Sequence, residues 1–134
     1  MVAIASIQSK IGVPYHTGYV ASKHALEGFC RALRYDLEGT GVTVLTVHPH
    51  WIRGTNLRTS ACSADGDVVG DRNLAHTDES ISAGECSAAI LKAIRNRDTE
   101  LIIPTKLRFV PWLKLLWPGL LRRKVWGKIN RQDK

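Results

Sequence analysis

A stretch with helical periodicity, Gly18 to Leu37, stands between two short apolar runs, VAIASI at 2–7 and VTVLTV at 42–47. Leu26, Phe29, Leu33 and Leu37 recur at spacings of three and four, and Ala21, Ala25 and Ala32 favour the helical state. The flanking runs are short and rich in β-branched residues, so they read as buried strands. Gly39-Thr40-Gly41 stops the helix. A strand, a helix and a strand with short connections form a βαβ unit, in which both strands run the same way. The fold class is therefore α/β, built on a parallel sheet.

The rest of the chain extends this order. Ser9 to Thr17 contains Gly12 and Pro14 and reads as a loop, because proline interrupts a helix. Pro49 ends the second strand. Residues 50–81 form a long polar segment, and a loop of that length is usually functional or disordered. Ser82 to Glu85 has the form of a capping box opening a helix over 82–97, with Ala89, Ile90, Ala93 and Ile94 on one side. Asp98 and Thr99 break it, and ELIIP at 100–104 reads as a third strand. Residues 1–105 thus give β-α-β-α-β, and 106–134 form a separate arm.

Charge marks the same division. From Lys106 to Lys134 there are nine Lys/Arg and one acid, a balance of +8, whereas residues 1–105 hold ten basic and eleven acidic residues, a balance of −1. Trp112, Trp117 and Trp126 lie among those basic residues, and Pro111 and Pro118-Gly119 divide the arm into short pieces. Tryptophan beside Lys/Arg suits a segment lying on an anionic membrane surface; an arm that covers a cleft or meets a partner subunit has an equal claim. No nucleic-acid-binding motif occurs, so nucleic acid is not an expected partner. No run of about 18 apolar uncharged residues is present, and the N-terminus lacks the pattern of a signal peptide. Cys30, Cys62 and Cys86 are widely spaced, which argues for a reducing compartment and hence a cytoplasmic or membrane-peripheral location facing one. Cys30 reads as a small core residue. His24, His48 and His50 show no metal spacing and read as structural or surface residues, so no metal is expected.

Chemistry concentrates at the start of the first helix. Tyr19 and Lys23 are four residues apart and share a helix face. A cation one turn away favours phenolate over phenol, which suits a tyrosine to general acid/base work. Ser6 ends the first strand, thirteen residues before Tyr19. In a parallel sheet the carboxyl ends of strands and the following helix starts form the ligand crevice, so Ser6 can meet Tyr19 there and hold a carbonyl or alcohol oxygen.

Ser6, followed thirteen positions later by Tyr-x-x-x-Lys within YVASKHAL, resembles the active-site signature of the short-chain dehydrogenases/reductases. KIGVPYHTG, TGVTVLTVHP, the helix from Ser82 and ELIIP follow in that family's order, so the resemblance covers about residues 2–104. It implies a Rossmann-like sheet and an NAD(P)-dependent oxidoreductase interconverting a secondary alcohol and a ketone, with a lipophilic substrate suggested by the arm. By position, Tyr19 would move the proton, Lys23 would assist it and bind the nicotinamide ribose, and Ser6 would orient the substrate oxygen. The segment after Pro49 would run under the nicotinamide, with Ile52 offering backbone contacts and Thr55 its hydroxyl. The resemblance also implies a homo-oligomer formed through the Tyr19 helix. Two residues depart from the pattern: His50 stands where the family usually has glycine, and Gly54 precedes Thr55 as an apparent insertion. A Gly-rich phosphate turn does not occur in these residues. On that resemblance the chain is the C-terminal half of the fold, begins on the fifth strand with a raw sheet edge at 2–7, and is inactive by itself. The alternative is a non-catalytic truncated remnant acting as a membrane-surface or protein-binding module.

Overall fold

A computed structural model describes residues 1–55 and 80–129. Strand β1 (Val2–Ile4) leads through a 3-10 turn at Ile7–Ser9 to helix α1 (Thr17–Asp36), which returns the chain to strand β2 (Leu45–Pro49). Two short strands, β3 (Ile52–Arg53) and β4 (Ile81–Ser82), flank the long polar segment, whose residues 56–79 lie outside the described ones. Helix α2 (Ala83–Arg95) then leads to strand β5 (Glu100–Ile103). A 3-10 turn at Thr105–Phe109 and helices α3 (Val110–Leu116) and α4 (Pro118–Ile129) complete the described chain.

The main sheet has the order β1-β2-β5 and is parallel throughout. Strand extents follow from partners. β2 begins at Leu45 rather than Val42, because β1 pairs from Val2 onward with Leu45 and no strand pairing among the described residues includes 42–44. It runs through Pro49 because β5 continues beside it to Ile103. β1 ends at Ile4, so Ser6 lies beyond the strand and caps the 3-10 turn. β1 is also an edge, with Val2 and Ile4 exposed. Gly41, at φ +78°, makes the turn into β2, a conformation that glycine adopts without steric cost.

Alternation along β2 gives the sheet two different faces. Leu45 and Val47 point to one side, where Cys86, Ala93 and Ile103 complete an apolar core and Ile52, Ile81, Ala89, Ile90 and Leu101 pack around it. This is the face covered by α2. Its start is a complete capping box: the Glu85 N–H donates to Ser82 Oγ at 3.1 Å, and the Ser82 N–H donates to Glu85 Oε2 at 2.7 Å. Thr46, His48, Glu100 and Ile102 share the opposite side by register. Arg34 of α1 reaches it, with Nε donating to Val44 O at 3.1 Å and Nη2 to Thr46 Oγ1 at 2.6 Å and Thr99 O at 2.5 Å. Cys30 is fully buried on α1, as a small core residue.

In the arm, proline starts helices rather than merely separating pieces. Pro111 lies in the first turn of α3 and Pro118 opens α4, positions where the missing N–H has no intrahelical partner to lose. Lys114 Nζ donates to Lys10 O at 3.0 Å, and the Trp126 ring meets Tyr15 edge-on at 6.3 Å, so the arm rests on the loop before α1. No helix among the described residues is long and apolar enough to cross a membrane.

Val47 is fully buried at the centre of the apolar face, whereas Leu91 on α2 is 56% exposed. Val47→Ala should therefore cost about 2–3 kcal/mol in a urea unfolding titration. Leu91→Ala should cost less than about 0.5 kcal/mol.

Candidate active site

The side chains singled out by the sequence lie around the carboxyl end of β1. Tyr19 is 41% exposed in the first turn and a half of α1. Lys23 Nζ stands 5.5 Å from the centre of its ring, as the i, i+4 spacing demands. The same ammonium donates to Ile4 O at 3.1 Å, across nineteen residues of sequence. Lys23 therefore links the helix face that bears Tyr19 to the last residue of β1. An ammonium has three donors, and two remain beyond the bond to Ile4.

Ser6 follows two residues later and is buried. Its Oγ accepts the Gln8 N–H at 3.2 Å, which leaves its own hydroxyl proton to be given elsewhere. The 3-10 turn that Ser6 caps packs against α1.

The cofactor candidates lie at the carboxyl end of β2. Pro49 is its buried last residue, Ile52 is half-buried on β3 against the apolar core, and Thr55 is exposed. His50 donates its backbone N–H to Ile103 O at 2.8 Å, so the residue at the departure from the family pattern continues the β2–β5 pairing. Gly54 has φ +74°, and a Cβ there would meet nothing within 4 Å. The unusual backbone thus sits at Gly54, the apparent insertion.

A buried polar group behind Ser6 was not identified from the sequence. Lys10 Nζ bonds both Glu27 Oε1 of α1 and Glu100 Oε1 of β5. His48, fully buried, has Nε2 at 3.3 Å from Glu100 Oε1, close enough for electrostatic attraction though not aligned as a hydrogen bond. Its Nδ1 lies 2.8 Å from Ser9 Oγ. Glu27, His48 and Glu100 bring possible metal-ligand atoms within 4.8 Å of one another, but the Lys10 ammonium already occupies the place between the two carboxylates. The sequence signal was available in the parity of VTVLTVHP, where Thr46 and His48 alternate with Leu45 and Val47.

The short chain dehydrogenase family model matches residues 1–65. Dehydrogenase/reductase SDR family member 7B of Mus musculus is 33% identical over 140 residues, covering 100% of this chain and 41% of its own length. Dehydrogenase/reductase SDR family protein 7-like of Anopheles gambiae is 32% identical over 134 residues, covering 97% of this chain and 42% of its own length. A short chain dehydrogenase of Burkholderia cenocepacia, solved in complex with NADP, superposes with a TM-score of 0.68 at 19% identity, covering 92% of this chain and 46% of that one. A short-chain dehydrogenase of Streptomyces avermitilis gives 0.60 at 22% identity, covering 99% and 52%. The fold is the parallel α/β fold of these dehydrogenases, and the chain belongs to the short-chain dehydrogenase/reductase family. It spans about two fifths of the length of the relatives it matches.

The His48 imidazole and the Lys10 ammonium hold the Glu100 carboxyl down at about 2, against a partial opposing effect of burial. A carboxyl depressed in the folded state stabilises fully above its unfolded value near 4.5, and that contribution is lost as pH falls toward about 2. Glu100→Gln should therefore lose less stability than the wild type between those two pH values, measured as urea midpoints along an acid series.

Proposed function

We propose that this chain is the catalytic portion of an NAD(P)-dependent oxidoreductase that interconverts a secondary alcohol and a ketone. The observation that carries the reading is Lys23, which lies beside the Tyr19 ring and is bonded to the carboxyl end of β1. Tyr19 gives its phenolic proton to the ketone oxygen in reduction and takes it back in oxidation. Lys23 keeps its ammonium beside the Tyr19 ring during that exchange, 5.5 Å from the ring centre. Ser6, with its lone pair engaged by Gln8, donates its hydroxyl proton to the same oxygen and holds it in line with Tyr19.

A nicotinamide dinucleotide, when bound, supplies or accepts the hydride. The residues present fit its nicotinamide end. Lys23 has donors to spare for the ribose hydroxyls, Pro49 and Ile52 bring backbone to the crevice at the end of β2, and Thr55 offers an exposed hydroxyl. The Burkholderia protein's complex with NADP supports this class of cofactor. The exposed edge of β1 is a template for a further strand, as a larger sheet carrying the phosphate site would require. Phe29 and Tyr35, exposed on α1, support a subunit contact through the Tyr19 helix.

In the enzyme that joins these residues to a dinucleotide-binding half, Tyr19→Phe should lower ketone reduction by about 10²- to 10⁴-fold, with the circular dichroism spectrum unchanged. Near-normal turnover in this variant would remove Tyr19 from the chemistry.

A second reading concerns the arm, residues 106–134. Phe109, Trp112, Leu115, Leu116 and Trp117 are exposed together, with Arg108 and Lys114 among them. Water-exposed tryptophan beside basic residues favours attachment to an anionic membrane surface, which would bring a lipophilic substrate to the site. In this reading the protein lies on a membrane facing a reducing compartment. Cys30 and Cys86 are buried free thiols, and burial pushes the Cys86 thiol up. The protein should bind vesicles of anionic phospholipid with a blue shift of tryptophan emission, and binding should weaken with salt, since each basic residue contributes about 1 kcal/mol at most. Deleting residues 106–134 should abolish the salt-dependent part. Binding unchanged by the deletion would assign the arm to a cleft cover or a subunit contact.

A further inference from the structure

The polar group behind Ser6 has a direction. The Ser6 carbonyl oxygen receives the Ser9 N–H at 2.9 Å and the Ser9 hydroxyl at 2.7 Å. A hydroxyl has one proton, so the remaining contact of Ser9 Oγ, with His48 Nδ1 at 2.8 Å, is one in which Ser9 accepts and the imidazole donates. The same Nδ1–H is shared with Ser6 O at 3.3 Å. This assigns a proton to Nδ1, independently of the one that Nε2 presents to Glu100, which Lys10 fixes in place.

Three donors thus converge on one carbonyl, and two of them come from the turn that Ser6 itself caps. Pinning that peptide plane fixes the Cα–Cβ direction of Ser6. The Gln8 N–H then fixes Oγ, and the hydroxyl proton takes no part in that bond. A reacting oxygen gains from a donor only when the donor is held within a fraction of an ångström, which requires support from behind.

We propose that His48 is a positioning residue for Ser6, acting through Ser9 from the buried side of the sheet. The proposal rests on the reading of Ser6 as the residue that orients the substrate oxygen. His48 touches neither substrate nor cofactor. It joins the carboxyl end of β2, where the cofactor segment begins, to the carboxyl end of β1, where the substrate oxygen would be held.

The test uses the 134-residue chain and two NMR readouts. Long-range ¹H–¹⁵N spectra should show His48 protonated at Nδ1, and Ser9→Ala should abolish that preference. The Gln8 amide reports on Ser6 Oγ directly. Ser9→Ala and His48→Leu should each lower its protection from hydrogen exchange by roughly five- to tenfold, the factor that one net hydrogen bond is worth. The double variant should lower it no further, because both changes break one chain of bonds. His48→Asn should preserve it, since an amide nitrogen takes the place of Nδ1. A bare Nδ1 in the wild type, or Gln8 protection unchanged in Ser9→Ala, would overturn the proposal. So would loss spread evenly over the α1 amides in His48→Leu without rescue by Asn, since that describes a merely structural histidine. If His48→Leu does not fold, Ser9→Ala and His48→Asn decide the matter. Turnover of Ser6→Ala in the whole enzyme tests the underlying reading separately. Intact turnover there removes the role of Ser6, whatever the NMR experiment says of His48.

Discussion

Lys10 is a cation withdrawn from water, and the arrangement around the site depends on how it is satisfied. Burying an ammonium is costly unless it is paired with good geometry. Here two carboxylates from different elements meet it, Glu27 from α1 and Glu100 from β5, while its own backbone carbonyl receives Lys114 from α3. One residue of the loop before α1 therefore fixes that loop against the helix, the sheet and the arm. The cost of breaking such a pair is larger than the gain from making it, because the group left behind is a buried unpaired charge. The contact thus specifies one arrangement of its neighbours rather than adding much to stability.

The consequences run toward the chemistry. With the loop held, α1 presents Tyr19 and Lys23 next to the end of β1, and the bond from Lys23 to Ile4 closes the arrangement. The same carboxylate of Glu100 that receives Lys10 faces His48, and through Ser9 the order reaches Ser6. Polar groups that would be a liability in an apolar core form instead a connected layer between α1 and the sheet. The other face of the sheet carries the apolar packing against α2. A division of labour between the two faces lets one strand, β2, serve both stability and site geometry.

The strand–helix–strand order, the two helices and the capping box were legible in the sequence because each depends on local signals: periodicity, glycine stops and the Ser82/Glu85 pair. So was the Tyr19–Lys23 pairing, since i, i+4 spacing on a helix needs no tertiary information. Strand limits were displaced by two or three residues, because a strand lasts only as long as its partner does. The pairing of Ile52–Arg53 with Ile81–Ser82 was hidden by the long segment between them. His48 reads in the sequence as one of several scattered histidines, and only its alternation with Leu45 and Val47 places it on the face opposite the apolar one.

By itself the sequence determined the α/β class, the parallel sense of the sheet, and the presence of Tyr19, Lys23 and Ser6 in a spacing that resembles the family's signature. These are properties of neighbouring residues and of short connections. Tertiary structure alone decided that Ser6 leaves the strand to cap a turn, that Lys23 is bonded to Ile4, and that buried Lys10, Glu27 and His48 meet the partly exposed Glu100. Those contacts join residues 17 to 90 positions apart. Their partners are chosen by which side chains the register of β2 and β5 turns toward α1, and register is a property of the assembled sheet.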